Sequence, residues 1–340
     1  MPRRPPAYTK HESWLGGLTL ESECAVTRKK QSNRKSPKQL FFEIQKLEYD
    51  KCLAGELNSC DQPAIRAHSI QNSQNIMGLI ARDGHVVMIR AHMTDASPEL
   101  RIETVGRNKA STFVGLCARH DGEVFRALDT VDLNPSDQEQ LFLLAYRALL
   151  REQQVLMTGG LRLQRAADEI GGAAEITALQ FQLNAYTFDV YRRTYFDPVL
   201  VSGDFEAIEH DVIEVSTKAP TVAVSSLFSL DEVDRPGDVV RSALSVLPIS
   251  RERSIAVFSY TQDDAGLARR ALDAILTAAD RDQRLELSRL ILDSAENFIV
   301  SPAFVDEWDQ EKTETIKQIA YDSIFTIRQS PPLDTLMLFI

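Results

Sequence analysis

Two stretches of the sequence decide how its N-terminal third is interpreted: residues 52–68, CLAGELNSCDQPAIRAH, and residues 116–121, LCARHD. The first holds two cysteines with seven residues between them, and the second holds a cysteine and a histidine with two residues between them. Structural zinc sites commonly take four ligands as two local pairs that the fold brings together. The pattern therefore predicts one structural zinc ion. Its predicted ligands are Cys52, Cys60, Cys117 and His120.

Other interpretations of these residues stay open at the level of sequence. Cysteine is often buried as an inert small hydrophobe, and His68 could replace Cys52 in the ligand set. Three of the four cysteines nonetheless fall within residues 39–130, which hold few long apolar runs. A structural metal commonly supports such a small core. Cys24 lies outside the pattern, in a polar segment, and is interpreted as incidental.

Residues 64–71, AIRAHSIQ, and residues 116–125, LCARHDGEVF, together resemble the HNH endonucleases, the treble-clef or ββα-metal family. Members of that family typically carry a histidine on the first strand and, later, a knuckle in which cysteines bind zinc and a final histidine binds the catalytic divalent ion. The resemblance covers about residues 50–128. It implies a small zinc-bound treble-clef-like domain with nuclease activity.

The resemblance also implies roles for individual residues. Cys117 matches the first cysteine of the knuckle, His120 replaces the second, and Asp121 stands where the metal-binding histidine would be. His68 then matches the general base, because a neutral histidine can deprotonate water for attack on phosphorus. An oxygen ligand such as Asp121 suits Mg²⁺ or Mn²⁺, which would relieve charge on the scissile phosphate.

The sequence departs from the family pattern at the asparagine that orients the catalytic histidine. That asparagine usually lies a few residues before the knuckle cysteine, where this chain has Ser111 and Thr112. Asn108 is nearby but displaced. His85 and His92 flank a predicted strand and could lie near the site, although solvated or packing histidines are more common.

Charge is spread unevenly along the 340 residues. Residues 1–46 hold ten Lys or Arg against four Glu, so they carry +6 of a net charge of −11 and the remainder carries −17. A basic arm of this kind can neutralise the phosphates of a nucleic acid, or it can be a solvated terminus. Nucleic acid is therefore a candidate partner, and the oligomeric state is left open.

The chain has the features of a cytoplasmic protein. Its longest apolar runs are far shorter than the roughly 20 residues that a membrane-spanning helix needs, so no membrane partner is expected. Prolines and polar residues occupy the N-terminus where a secretory signal would be apolar. Only four cysteines in this length fit a reducing compartment in which cysteine binds metal or does chemistry.

Composition and periodicity predict the fold class α+β. The resemblance implies, within that class, a small zinc-bound treble-clef-like domain followed by a larger mixed α+β domain. Residues 1–38 are predicted to be a flexible basic N-terminal segment. Residues 39–130 are predicted to form the zinc-binding HNH-like domain, and residues 131–340 the larger domain. With more than about 300 residues, two domains are the default expectation.

Within the larger part, local signals predict the individual elements. Ser136 is predicted to cap a helix through a capping box with Glu139, and that helix is expected to end near Gly159-Gly160. A further break is predicted at residues 171–172. Residues 243–249 and 254–260 are predicted to form a hairpin.

Residues 130–340 contain no glycine-rich phosphate loop, no GxSxG elbow and no paired-histidine metal helix. His210 is the only histidine there, which argues against a Ser-His triad. The larger part is therefore interpreted as a sensor, oligomerisation or substrate-positioning domain.

Two hypotheses for function remain at this stage. One is a metal-dependent nuclease that hydrolyses phosphodiester bonds of DNA or RNA with His68 as base and Asp121 as ligand of a divalent ion. By analogy with bacterial proteins of similar layout, it would act in phage defence. The alternative is a non-catalytic, zinc-stabilised module that binds nucleic acid or protein.

Overall fold

A computed structural model describes residues 8–9, 35–54, 60–94, 98–231, 239–325 and 336–340 of the chain. The described part is mixed α+β, which confirms the predicted class at that level. Among these residues, no helix combines the length and apolar character needed to cross a bilayer.

Helices and strands alternate irregularly along the chain. The strands are β1 Tyr8–Thr9, β2 Arg66–His68, β3 His85–Met93, β4 Pro98–Gly106, β5 Thr112–Val114, β6 Ile208–Ser216, β7 Val222–Asp231, β8 Val239–Pro248, β9 Arg253–Thr261 and β10 Phe298–Val300. The α-helices are α1 Pro37–Ile44, α2 Met77–Ile80, α3 Ala118–Val124, α4 Arg126–Asp129, α5 Gln138–Ile170, α6 Ala173–Tyr191, α7 Asp197–Ser202, α8 Ala265–Ala271, α9 Asp273–Leu276, α10 Asp280–Ser294, α11 Pro302–Val305 and α12 Gln310–Phe325. A π-helical turn, Arg192–Phe196, joins α6 to α7, and a 3-10 turn, Phe205–Ala207, precedes β6.

One large antiparallel sheet organises the molecule. Its strand order is β4-β3-β10-β7-β8-β9-β6, and β1 adds to β7. The predicted hairpin of residues 243–249 and 254–260 is confirmed as the β8–β9 pair. A separate two-stranded ladder joins β2 to β5, with His68 directly opposite Thr112.

Both faces of the large sheet are covered, because alternate residues of its central strands belong to different cores. On β9, Ile255 and Val257 join the core that contains α5, whereas Ala256 and Phe258 join the core that contains α8 to α12. Successive side chains of a strand point to opposite faces of a sheet. Near-continuous apolar runs such as SIAVFSY therefore mark strands that are buried on both sides.

The boundary expected at residue 130 is crossed by both the sheet and a core. Strands β3 and β4 lie within residues 39–130, yet β3 pairs with β10 through Val87 and Val300. Phe113 of β5 and Leu149 of α5 belong to one buried cluster. Residues 39–130 therefore share their core with the rest of the chain, which is how they do without long apolar runs of their own.

The long helix α5 begins and ends differently from the prediction. Its N-cap is Asp137, whose side chain accepts from the backbone N–H of Gln140 at 3.1 Å, so the predicted cap at Ser136 is wrong by one residue. The helix also runs through Gly159-Gly160 and ends before Gly171, where positive φ at residues 171 and 172 breaks the helix as predicted.

Gly159 lies inside α5, and its lack of a side chain lets α6 approach closely. A Cβ built at this position would lie 2.6 Å from the ring of Phe181 on α6. The glycine pair is therefore a packing feature of the α5–α6 contact.

The predicted N-terminal segment 1–38 lies outside the described residues except at residues 8–9 and 35–38. Tyr8 and Thr9 pair with Leu230 and Ser229 of β7. Ser36 caps α1 through a capping box with Gln39. Cys24 also lies outside the described residues.

Candidate metal centre

The four predicted zinc ligands meet at one point. The ligand atoms of Cys52, Cys60, Cys117 and His120 all lie within 4.8 Å of one another. The measured separations are 3.8 Å from Cys60 Sγ to Cys117 Sγ, 3.4 Å from Cys52 Sγ to His120 Nδ1, and 3.5 Å from Cys117 Sγ to His120 Nδ1. It is the one such group of three or more His, Cys, Asp or Glu ligands within the described ranges.

These separations match those of a tetrahedral zinc ion. With Zn–S bonds of about 2.3 Å and Zn–N bonds of about 2.0 Å, two sulfurs of a tetrahedron lie about 3.8 Å apart and a sulfur and a nitrogen about 3.5 Å apart. Three cysteines and one histidine are also a common donor set for structural zinc. The group could therefore hold a metal such as zinc.

Backbone contacts hold the two halves of the cluster together. The N–H of Leu53 donates to the carbonyl of Gly115 at 2.8 Å, and the N–H of Cys117 donates to Cys52 Sγ at 3.2 Å. Cys117 is the N-cap of α3 in extended conformation, and His120 lies one turn along that helix. Cys117 at the cap and His120 in the first helical turn therefore direct their side chains at one point, with only two residues between them.

Cys52 and Cys117 differ in how easily they ionise. Burial raises the pKa of Cys52 to about 11; the backbone N–H groups of Cys117 and Ala54 oppose this shift, and the Cys117 thiol adds to it. Burial also disfavours the Cys117 thiolate, but N–H groups of His120 and Arg119 and the other two thiols outweigh it, so the pKa of Cys117 is lowered. Metal binding requires thiolates, so loading the site should release protons.

His120 presents Nδ1 to the sulfurs and Nε2 to Arg119 Nη2 at 2.8 Å. Burial, and next the charge of Arg119, lower the pKa of this histidine, which favours the neutral ring that a metal needs. A ring that binds metal through Nδ1 carries its proton on Nε2 and cannot accept from Arg119. The exposed Arg119 has an alternative partner in Glu123, 3.6 Å away.

His68 lies on β2, half-buried, outside the cluster. Its Nε2 is 3.2 Å from the backbone carbonyl oxygen of Arg107. A carbonyl can only accept, so Nε2 carries the proton and Nδ1 has the free lone pair. Burial lowers the pKa of His68, and the Arg107 carbonyl partly offsets this.

Asp121 follows His120 on α3 and is half-buried. Burial raises the pKa of Asp121. The charge of Arg147 lowers this pKa, and the charge of Asp129 raises it. The same two charges act on the pKa of His68. Arg147 and Asp129 therefore influence the pKa values of both candidate catalytic groups.

Arg147 and Asp129 form an ion pair that joins α5 to α4. Arg147 donates from Nη1 and Nη2 to the two carboxylate oxygens of Asp129 at 3.0 and 2.7 Å. The guanidinium also lies 4.0 Å from the ring centroid of Phe125. Arg147 sits within an apolar helical run, so neither its partner nor its proximity to the candidate site can be predicted from the sequence.

The remaining candidates have other surroundings. Asn108 accepts from Asn72 at 2.9 Å, and the ring of His68 contacts the Arg107 carbonyl rather than Asn108. His85 is exposed and contacts the carbonyl of Asp83 in its own turn. His92 pairs with Glu103 across the β3–β4 hairpin at 2.8 Å.

No protein-family model, curated protein or solved structure matches the chain. The functional interpretation therefore rests on the geometry of the site.

Proposed function

We propose that the chain is a zinc-stabilised, metal-dependent nuclease with an HNH-like, treble-clef arrangement. One observation carries this proposal. The β2–β5 ladder is followed by α3, the Cys3His group lies where the ladder meets the helix, and β2 carries His68 while α3 carries Asp121. The order strand, strand, helix is that of the ββα-metal family, here with residues 69–111 inserted between the strands.

His68 has the properties of a general base. Its Nε2 is held by the Arg107 carbonyl, and its Nδ1 has no hydrogen-bond partner among the described residues. Nδ1 would take a proton from a water molecule, the water oxygen would bond to phosphorus, and the bond to the leaving alkoxide would break. Solvent would supply the proton that the alkoxide needs. General-base assistance of this kind typically contributes about 10²–10⁴-fold to a rate.

Asp121 would hold the catalytic Mg²⁺ or Mn²⁺. A hard divalent ion is commonly bound in proteins by one or two carboxylates, with waters and substrate phosphate completing its shell. Such an ion relieves negative charge on the phosphate under attack.

Cleavage of DNA and RNA by the purified protein tests the proposal. With Mg²⁺ or Mn²⁺ the wild type should nick plasmid DNA or cut RNA, and His68→Ala should lower the rate by at least about 10²-fold. His85→Ala removes an exposed histidine and should leave the rate unchanged. Bound zinc should be equal in all three proteins. Full activity in His68→Ala, with zinc retained, would contradict the mechanism.

A second candidate function is a zinc-stabilised binding module without catalysis. The observation that favours it is Arg147, a cation fixed by two hydrogen bonds to Asp129 near the place where the divalent ion would bind. A fixed positive charge opposes a second cation at close range. Binding of nucleic acid with steep salt dependence, and no cleavage with any divalent ion, would favour this candidate.

A further inference from the structure

A cleft of about 490 Å³ lies between the β2–β5 ladder, β3 and α5. Four cationic side chains line it, together with one acid, Glu296, and the apolar side chains of Met88, Phe113 and Val155. The cations are Arg66, Arg90, Lys109 and Arg151. This concentration of positive charge contrasts with a chain whose net charge is −11.

Two of the four cations are available to a ligand. Arg66 pairs with Glu48, and Arg151 lies 3.2 Å from a carboxylate oxygen of Glu152. Arg90 and Lys109 are exposed, and neither has a carboxylate partner within the part of the chain that the structure describes. The one hydrogen-bond contact of the Arg90 guanidinium there is the sulfur of Met88 at 3.9 Å.

The cleft adjoins the proposed base. Thr112 lines the cleft and lies directly opposite His68 in the β2–β5 ladder. The Cβ atoms of such partners are about 4.5–5.5 Å apart. A phosphate held by Arg90 and Lys109 would therefore place the adjoining strand next to the histidine.

We propose that this cleft binds the phosphate backbone of a single nucleic-acid strand. Cations suit phosphates, and the apolar lining suits sugars and bases. The volume is that of a small-ligand pocket, which fits one strand rather than a duplex. The choice of nucleic acid as the ligand rests on the proposed nuclease function. The inference adds the place on the molecule where that ligand binds.

Binding of a dye-labelled single-stranded oligonucleotide, as DNA and as RNA, tests this site by fluorescence anisotropy. The His68→Ala protein with Mg²⁺ serves as parent, so that the probe is not cut. Adding Arg90→Gln and Lys109→Gln should weaken binding at least tenfold and reduce the slope of log K against log salt by about 1.4, since each single-strand phosphate contact contributes about 0.7. The control variant, Lys46→Gln with Arg251→Gln, removes two exposed cations that do not line the cleft. It should change neither the affinity nor the salt slope.

The possible outcomes distinguish failure of the proposed binding site from failure of the proposed nuclease function. Equal affinity and equal salt slope in the Arg90 and Lys109 double variant, or no binding by the parent, would overturn the inference. Binding through the cleft without cleavage by the wild type would support the binding site and contradict the nuclease. Cleavage by the wild type that the double variant leaves unchanged would support the nuclease and overturn the cleft.

A different observation concerns α6, which is apolar on two faces. Its residues Ala178, Ala185 and Phe188 are buried on the side of α5. On another face, large apolar side chains are 42–71% exposed. They are Ile176, Leu179, Leu183, Tyr186 and Val190.

The exposed residues are spaced by three, four, three and four positions, which is the a and d spacing of a heptad. Gln180, Gln182 and Thr187 flank the stripe. The acidic residues of α6 are Glu175 in its first turn and Asp189, which pairs with Arg193, so repulsion between two copies would be confined to the ends of the stripe. From the exposed fractions, the stripe offers on the order of 600 Å² per chain. Complete burial of two such stripes against each other would reach the lower bound of about 1,200 Å² for stable interfaces.

We infer that α6 pairs with α6 of a second copy of this chain. Light scattering after size exclusion should give a dimer mass for the wild type. Leu179→Gln with Leu183→Gln, and separately Leu183→Glu, should give monomers with unchanged circular dichroism. Val131→Glu, at a similarly exposed apolar residue, should stay dimeric. A monomeric wild type at the highest soluble concentration, or dimers in both α6 variants, would overturn the inference.

Discussion

Nε2 of His68 lies 3.2 Å from the backbone carbonyl oxygen of Arg107, so a main-chain group orients this histidine. In the nuclease proposed above, this carbonyl would take the orienting role that an asparagine side chain has in HNH enzymes. The sequence departure at Ser111 and Thr112 therefore does not leave the ring without an orienting acceptor. A backbone acceptor cannot be removed by point mutation, but the ionisation of the ring can be measured.

The first prediction concerns the pH dependence of cleavage. The pKa of His68 is lowered from 6.5 by burial, so the neutral base persists on the acid side of that value. The acid limb of kcat/KM should therefore fall below pH 6.5. An acid limb centred above pH 6.5 would contradict the role of neutral His68 as the base, because its lowered pKa could not produce that limb.

The second prediction concerns the buried cation of the π-helical turn. Arg192 is 2% exposed and donates to Asp197 Oδ2 at 3.2 Å and to Gln153 Oε1 at 2.9 Å. Arg192→Met would leave the Asp197 carboxylate buried without its cation, which costs about 3–5 kcal/mol. Urea unfolding measures the change.

The neighbouring Arg193 provides the control. Its side chain is 40% exposed and pairs with Asp189, so Arg193→Met should cost less than about 1 kcal/mol. Equal destabilisation by the two variants would contradict the role given to the buried network.

The third prediction concerns the closest approach of α5 to α6. Gly159→Ala would put a Cβ 2.6 Å from the Phe181 ring, and the resulting overpacking should cost about 1–3 kcal/mol, more than the helix propensity gained. Gly266→Ala on α8, where nothing lies within 4 Å, should be neutral or stabilising by up to about 1 kcal/mol. Gly159→Ala should therefore unfold at a lower temperature than the wild type, and Gly266→Ala at an equal or higher temperature. A stabilised Gly159→Ala protein would contradict the packing.

The fourth prediction concerns stability in acid. Burial lowers the pKa of His210 from 6.5 to about 4, and its Nδ1 contacts Ser259 Oγ at 2.8 Å. The unfolded chain binds a proton below pH 6.5 that the folded chain takes up only near pH 4, so stability is lost as the pH falls through this window. The loss is at most about 3 kcal/mol.

His210→Gln removes this titration. Between pH 7 and pH 4 the free energy of unfolding of the variant should fall less than that of the wild type. The exposed His85 supplies the control, because His85→Gln should keep the wild-type dependence. Parallel pH profiles for wild type and His210→Gln would rule out the assignment.

The sequence was sufficient to find the metal cluster because few side chains bind zinc and each ligand pair is local. Cys117 and His120 are brought together by a cap and one helical turn, which their spacing already indicates. The loop that returns Cys52 to the same point is held by contacts with residues 115–117, which spacing alone does not show.

Non-local pairing explains what the sequence did not show. Strand β10 has only three residues, and it is a strand because β3 and β7 flank it. Strand β4 alternates apolar and charged residues, as at Ile102 and Glu103. This alternation indicates a strand, although β4 is not among the elements predicted from the sequence. Arg147 shows the opposite case, a charge in an apolar run whose partner lies on another helix.

Metal content tests the central claim most directly. Protein purified without added metal should carry about one zinc ion per chain by mass spectrometry. Cys117→Ser should lose the zinc and unfold at lower temperature. Cys24→Ser, at the cysteine that the sequence pattern leaves out, should keep the zinc and the wild-type unfolding temperature. Wild type without zinc that is also not stabilised by added Zn²⁺, or Cys117→Ser with full zinc, would contradict the account.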